Sequence, residues 1–269
     1  MGVPAPSSRQ SWPLHLLQHT STDTRSLASP RVSVVVPAMN EAKNLPHVLP
    51  RIPDDVFEVL LVDGGSSDDT IETALELLPD LRVLHQPGRG KGDALICGFK
   101  SARGDIVVML DADGSARPEE IPMFVDALVA GADFAKGSRF LPSGGSADIT
   151  RLRSLGNKAL TGLVNLFFRS RYSDLCYGYN AFWTDVLDDL ALDAHGFEIE
   201  TQLNLRAVKC GLAVVEVPSW EDDRIHGVSN LNAVRDGLRV LRTILRERSG
   251  RKQAEPSRAT PRRDAVLDD

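Results

Sequence analysis

Residues 105–115, Asp-Ile-Val-Val-Met-Leu-Asp-Ala-Asp-Gly-Ser, decide the fold. Asp105 to Leu110 is the strongest strand signal in the chain, an aliphatic run that reads as a buried parallel strand and leads directly into Asp111. Working outward, Val32–Val36 ending at Pro37 and Phe57–Val62 ending at Asp63 repeat the pattern, and Arg82–His85 is a shorter candidate. Helical patterns separate these runs at about 41–51, 68–78, 91–102 and 118–130. The alternation predicts an α/β fold with a Rossmann-like, mostly parallel sheet flanked by helices. Ligands of such sheets bind outside the carboxyl ends of the strands. The loops PAMNE (37–41), DGGSSDDT (63–70) and DADGS (111–115) should therefore converge on one crevice.

Beyond residue 140 the alternation weakens. A helix is expected over 151–171, with Leu152, Leu155, Leu160, Leu163, Val164 and Phe167 on its apolar side. A short strand at Asn180–Trp183, a helix at 198–210 ended by Gly211, and a strand at Ala213–Val217 complete the expected core. Residues 1–30 and 249–269 read as disordered tails around a catalytic domain at 31–232 and a basic amphipathic helix at 233–248.

The 269 residues allow one large domain, and 42% hydrophobic residues are enough for a real core. A net charge of −6 argues against nucleic acid as the main partner. Cys97, Cys176 and Cys210 lack any CxxC pairing, so neither a zinc site nor a disulfide framework is indicated. No apolar run reaches the length of a membrane span, and Trp12–Leu17 is too short and interrupted for a signal peptide. A cytoplasmic protein, soluble or peripheral on the cytoplasmic membrane face, is expected.

Asp111 and Asp113, just past a buried strand, offer oxygen ligands to one hard cation, Mg2+ or Mn2+, which would neutralise a diphosphate. The same tripeptide could also be only a solvated loop. Asp63, with Gly64 and Gly65 beside it, is placed to accept bonds from a base or ribose, whereas Ser67 or Asp68 would serve as an N-cap. The loop Pro87–Gly92 (PGRGKG) offers flexible backbone and the cations Arg89 and Lys91 to phosphates, without the spacing of a Walker loop, and reads equally as a plain glycine-rich turn before a helix.

In this order, VVVPAMNE, DGGSSDDT, GRGKGDALICGFKSARGD, DAD and KGSRF resemble the family 2 inverting glycosyltransferases of GT-A fold, and among them the polyprenyl-phosphate mannose or glucose synthases. The likeness spans about residues 31–232. It implies that Pro37, Ala38, Asn40, Glu41 and Asp63 hold the nucleoside, that Asp111 and Asp113 bind the metal and donor diphosphate, and that Arg139 sits near the phosphates. The segment DDRIHGVSNL resembles an Arg-x-x-Gly-x-Ser-Lys element, which implies Arg224 and Ser229 over the diphosphate, with Asn230 in the lysine's place. Ser115 stands where that branch often has glutamine.

The reading that follows is metal-dependent transfer of a hexose from a GDP-mannose or UDP-glucose type donor to polyprenyl phosphate. The alternative is a small-molecule, polysaccharide or natural-product hydroxyl acceptor. A hydroxyl needs a general base, for which Asp174, Glu198, Glu200 and His226 are candidates and Glu198 the preferred site residue. A phosphomonoester is already anionic. In residues 233–248, Val234, Leu238, Leu241 and Leu245 form one stripe beside Arg235, Arg239, Arg242 and Arg246, a pattern that suits either contact with an anionic membrane or a helix that packs on the domain and exposes its arginines.

Overall fold

The computed structural model describes residues 29–227 and 233–250. In chain order the elements are β1 (Val32–Ala38), β2 (Glu58–Asp63), α1 (Thr70–Leu77), β3 (Arg82–His85), α2 (Lys91–Ser101), β4 (Ile106–Met109), α3 (Ile121–Val129) and β5 (Phe134–Ser138). They continue with β6 (Gly145–Ser146), α4 (Arg151–Phe168), β7 (Asn180–Trp183), α5 (Leu187–Leu190), α6 (Glu198–Lys209), β8 (Val214–Pro218), β9 (Trp220–Glu221) and α7 (Ala233–Ser249).

Seven strands form one sheet in the order β3-β2-β1-β4-β7-β5-β8, in which only β7 runs antiparallel to its neighbours β4 and β5. The register sets Val34 beside Val59 on one side and Val108 on the other, so three aliphatic runs stack at the centre of the sheet. Their residues are almost wholly removed from water, as uninterrupted apolar strands covered on both faces must be. β6 and β9 form a separate two-stranded ribbon.

Two expectations fail for identifiable reasons. Residues 41–51 do not form one α-helix but two short 3-10 turns, Leu45–His47 and Leu49–Arg51. Pro46 and Pro50 each lack the N–H that a longer helix would need. The apolar side expected for α4 is in fact two faces. Val164 is buried, with Leu160, Leu163 and Phe167 packed beside it, whereas Leu152 and Leu155 point to solvent.

α7 packs on the domain. Val240 and Ile244 join Val164, Tyr172, Leu175 and Leu205 in a second apolar cluster. The line it buries therefore runs through Val240 and Ile244, not through Leu238 and Leu245, which are exposed. Among the described residues no helix is long and apolar enough to cross a membrane.

Candidate active site

The three loops predicted to converge do so. β1, β2 and β4 are neighbours and parallel, so their carboxyl ends share one edge. The first two loops are stitched together by Gly64 N donating to Ala38 O at 2.8 Å and by Ser67 N donating to Asn40 Oδ1 at 2.8 Å. Asn40 has φ of 58°, a left-handed conformation that asparagine tolerates better than most residues. This turn lets Glu41 N donate to Thr70 Oγ1 at 2.9 Å. Pro37 and Ala38 end β1, paired with Val62 and Asp63.

Asp63 is buried, and its carboxylate accepts from Gly65 N at 3.0 Å and Ser66 N at 3.1 Å. Burial alone pushes its pKa up, but bonds from the Ser66 hydroxyl and the Ser66 and Gly65 amides outweigh this and hold it below the usual aspartate value. Asp63 thus shapes the loop after β2.

Two cations meet the two aspartates of the DAD segment. Lys91 Nζ lies 2.6 Å from Asp111 Oδ1 and 2.6 Å from Glu200 Oε1. Arg224 Nη1 lies 3.1 Å from Asp113 Oδ2, and its Nη2 pairs with Glu41. Arg224 therefore links the loop after β1 to the loop after β4. The segment that carries it is anchored: Asp222 N donates to Ser115 O at 2.8 Å, and His226 N donates to Asn44 Oδ1 at 2.9 Å.

Ser115 fixes Asp113 from the other side, its hydroxyl donating to Oδ1 at 2.8 Å and its amide at 3.0 Å. Burial pushes the Lys91 pKa down, yet the carboxylates of Asp111 and Glu200 carry it above the ordinary lysine value. Burial raises the pKa of Glu200, and the Asp111 charge adds to this while Lys91 opposes it.

Lys91 reaches Glu200 because its loop packs tightly on the segment before α6. Gly92 N donates to His195 O at 2.8 Å, and a Cβ at Gly92 would lie 2.1 Å from Ala194 O. Sequence reasoning preferred Glu198, and here the structure differs. Glu198 opens α6 and turns back to Gly196 N at 3.2 Å, while Glu200, about 200° further round the helix, faces Lys91.

Arg139 has a set of ionic partners of its own. Its guanidinium is bidentate to Asp174, at 2.8 and 3.0 Å, and Nη1 donates to Glu221 Oε2 at 2.9 Å. With only 7% of Arg139 and none of Asp174 exposed, this is a buried ion cluster, and Asn157 Nδ2 donates a further bond to Asp174 at 2.8 Å. Its ion-pair partners among the described residues do not include Asp111 or Asp113. Ser229 lies outside the described residues.

Within the described residues no group of three or more His, Cys, Asp or Glu side chains could hold a metal unaided. The donor set nevertheless fits a hard ion of the Mg2+ kind, which is held by one or two carboxylates with substrate phosphates completing its shell. Asp111 and Asp113 are two such carboxylates at the strand end.

This sheet, with a carboxylate pair at the end of β4 and cations beside it, defines a nucleotide-sugar transferase. Residues 33–190 match the family model "Glycosyl transferase family 2", and the chain belongs to that family. It is 35% identical over 215 residues to a polyprenol monophosphomannose synthase of Mycolicibacterium smegmatis, covering 75% of this chain and 81% of that one. To an undecaprenyl-phosphate mannosyltransferase of Micrococcus luteus it is 34% identical, covering 75% of this chain and 88% of the relative. A crystal structure of glucosyl-3-phosphoglycerate synthase from Mycobacterium tuberculosis, in complex with Mg2+ and uridine diphosphate, superposes with a TM-score of 0.68. It is 25% identical and covers 89% of this chain and 84% of that one.

Proposed function

We propose that this hexosyltransferase moves mannose or glucose from a GDP- or UDP-linked donor to polyprenyl phosphate. The observation that carries the reading is the pairing of Asp111 with Lys91 and of Asp113 with Arg224 at the carboxyl end of β4. Two carboxylates suited to a metal ion and two cations suited to a diphosphate stand side by side there. Mg2+ or Mn2+, held by Asp111 and Asp113 with donor oxygens, would offset the charge of the leaving diphosphate. Arg224 and Lys91 supply further positive charge, and Pro37, Ala38, Asn40, Glu41 and Asp63 frame the nucleoside. Ser229 is assigned to the diphosphate by resemblance alone.

The acceptor is supported by the names of the two mannosyl-transferring relatives and by the state of the candidate bases. Asp174 is locked to Arg139, which overcomes the effect of burial and keeps its pKa low. Glu200 is held by Lys91, Glu198 accepts from Gly196 N through Oε1 while its buried Oε2 has no hydrogen-bond partner among the described residues, and the His226 backbone is tied to Asn44 and Arg224. An acceptor that arrives already ionised needs none of them. Peripheral membrane contact through 233–248 would use the outward face of α7, where Leu238 and Leu245 lie among arginines.

A second reading, transfer to a small soluble acceptor, is favoured by the fold neighbour named as a glucosyl-3-phosphoglycerate synthase. A donor panel assayed for nucleotide release, with and without Mn2+ and polyprenyl phosphate, separates the two. Release that rises with polyprenyl phosphate is expected. Turnover on a soluble alcohol or phosphoglycerate, with none on any polyprenyl phosphate, would reject the lipid acceptor.

A further inference from the structure

Gly90, at the N-cap of α2, has no side chain with which to cap the turn that carries Lys91. The first N–H groups of a helix find no partner within it. Here a carbonyl from a distant loop takes them, with His195 O accepting from Gly92 N at 2.8 Å and from Asp93 N at 3.4 Å. Two glycines permit the approach, since a Cβ would lie 2.6 Å from His195 O at Gly90 and 2.1 Å from Ala194 O at Gly92. The backbone beside Lys91 is therefore only as well placed as residues 194 and 195.

That loop is in turn held from α6. Gln202 Oε1 accepts from Asp193 N at 3.0 Å and from Ala194 N at 2.9 Å. The amide nitrogen of Gln202 donates to Asp193 Oδ1 and, at 3.2 Å, to Glu247 Oε1. Arg206, one turn further along α6, donates from Nη1 to Leu190 O at 3.0 Å and from Nη2 to Asp193 Oδ1 at 3.0 Å. Glu247 on α7 gathers these donors, for Arg206 Nε reaches its Oε1 at 3.0 Å and Lys209 Nζ its Oε2 at 2.8 Å. Gln202 is wholly buried and Glu247 is 5% exposed, so water does not compete for these bonds. Burial pushes the Glu247 pKa up, but bonds from Lys209, Arg206 and Gln202 hold it below the usual glutamate value.

α6 thus meets Lys91 by two routes. Glu200 takes the ammonium directly, while Gln202, about 200° further round the helix, faces the loop whose carbonyl fixes Gly92. We propose that Gln202 is a positioning residue for Lys91, acting through residues 193–195, with Arg206 and Glu247 holding it in place. Loss of the Gln202 acceptor leaves the N–H groups of Asp193 and Ala194 unpaired, which lets the His195 carbonyl shift and the start of α2 move relative to Asp111. The proposal rests on the donor-site reading above only for the role of Lys91.

The test compares two variants of the full chain, Gln202→Met, which keeps the bulk without the acceptor, and the milder Glu247→Gln. Hydrogen exchange at the Gly92 amide should quicken by about tenfold in Gln202→Met and by less in Glu247→Gln. Mg2+-dependent affinity for GDP or UDP, whichever the wild type binds, should fall by about tenfold in Gln202→Met, and the donor KM should rise while the acceptor KM does not. In a Lys91→Ala background the same substitutions should leave nucleotide affinity unchanged, because the group they position is gone.

Wild-type exchange at Gly92 in both variants would overturn the proposal. So would an equal loss of nucleotide affinity with and without Lys91, or a lowered melting temperature at unchanged affinity, either of which would make the cluster a support of the fold alone. Should Gln202→Met fail to fold, Glu247→Gln decides on the same measurements. Transfer to an acceptor other than polyprenyl phosphate would reject the function proposed above and would leave the exchange and affinity measurements untouched.

Discussion

Asp111 and Glu200, far apart in the chain, hold one ammonium between them: Lys91 Nζ is 2.6 Å from a carboxylate oxygen of each. The contact ties the start of α2 to the start of α6 across the donor site. Removing the cation leaves two carboxylates facing each other, one of them buried. Lys91→Ala is expected to lower kcat/KM by about 10²-fold, the order seen when one stabiliser of developing charge is lost. Adding Glu200→Gln should restore part of the loss, because it removes the uncompensated charge. Steady-state kinetics of the double-mutant cycle should give a coupling of about 0.5–3 kcal/mol. Independent, additive effects would show that the shared ammonium has no role in turnover.

Asp113 is held by Ser115 on one side and Arg224 on the other, so its orientation does not depend on a bound ion. Asp113→Ala should therefore leave the melting temperature nearly unchanged while lowering metal-dependent nucleotide release by at least about 10²-fold. Ser115→Ala frees one oxygen of the same carboxylate and should raise the metal concentration needed for half-maximal rate. A variant at Asp113 that keeps its turnover would remove the metal role.

Much of this was legible in the residues. DIVVML became β4, Asn180–Trp183 became β7 at the same bounds, and the loops PAMNE, DGGSSDDT and DADGS met as expected because parallel neighbouring strands leave no other place for them. The break of the helical run at 41–51 is local chemistry, since Pro46 and Pro50 stand within it. Other contacts depend on long-range partners. Nothing near Arg139 announces Asp174 or Glu221, and choosing Glu200 over Glu198 requires knowing where α6 begins. The outward line on α4 was hidden because leucines at helical spacing look alike until one face is known to be covered.

Arg139 tests the distinction between a buried ion cluster and a phosphate ligand. Arg139→Met leaves Asp174 and Glu221 buried without their cation, which should destabilise the fold by about 3–5 kcal/mol. The pH dependence has a definite sign. In the native protein Arg139 outweighs burial and holds the Asp174 pKa below its unfolded value, so the stabilisation is complete above that unfolded value, about 3.9. It is lost as pH falls through the lowered native value. Without Arg139, burial dominates and the Asp174 pKa rises, so the acid-unfolding midpoint followed by circular dichroism should move to higher pH. A variant with wild-type melting and acid unfolding but reduced turnover would instead return Arg139 to the phosphates.

Two glycines bear on the Lys91 bridge from different sides and should respond differently to alanine. A Cβ at Gly178 would lie 2.5 Å from Glu200 Oε1 and 3.2 Å from Lys91 Nζ, both at the ends of flexible side chains. At Gly92 it would lie 2.1 Å from Ala194 O, which is backbone. Gly178→Ala can be accommodated by moving Glu200 off Lys91, so kcat/KM should fall by about tenfold with a stability loss near 1 kcal/mol. Gly92→Ala must displace the segment before α6 or the start of α2, an overpacking that costs about 1–3 kcal/mol. It should lower the melting temperature more than Gly178→Ala does. Paired thermal melts and kinetics measure both quantities. If Gly178→Ala keeps full activity, the Glu200 contact merely fills space beside Lys91, and the bridge to Asp111 is sufficient alone.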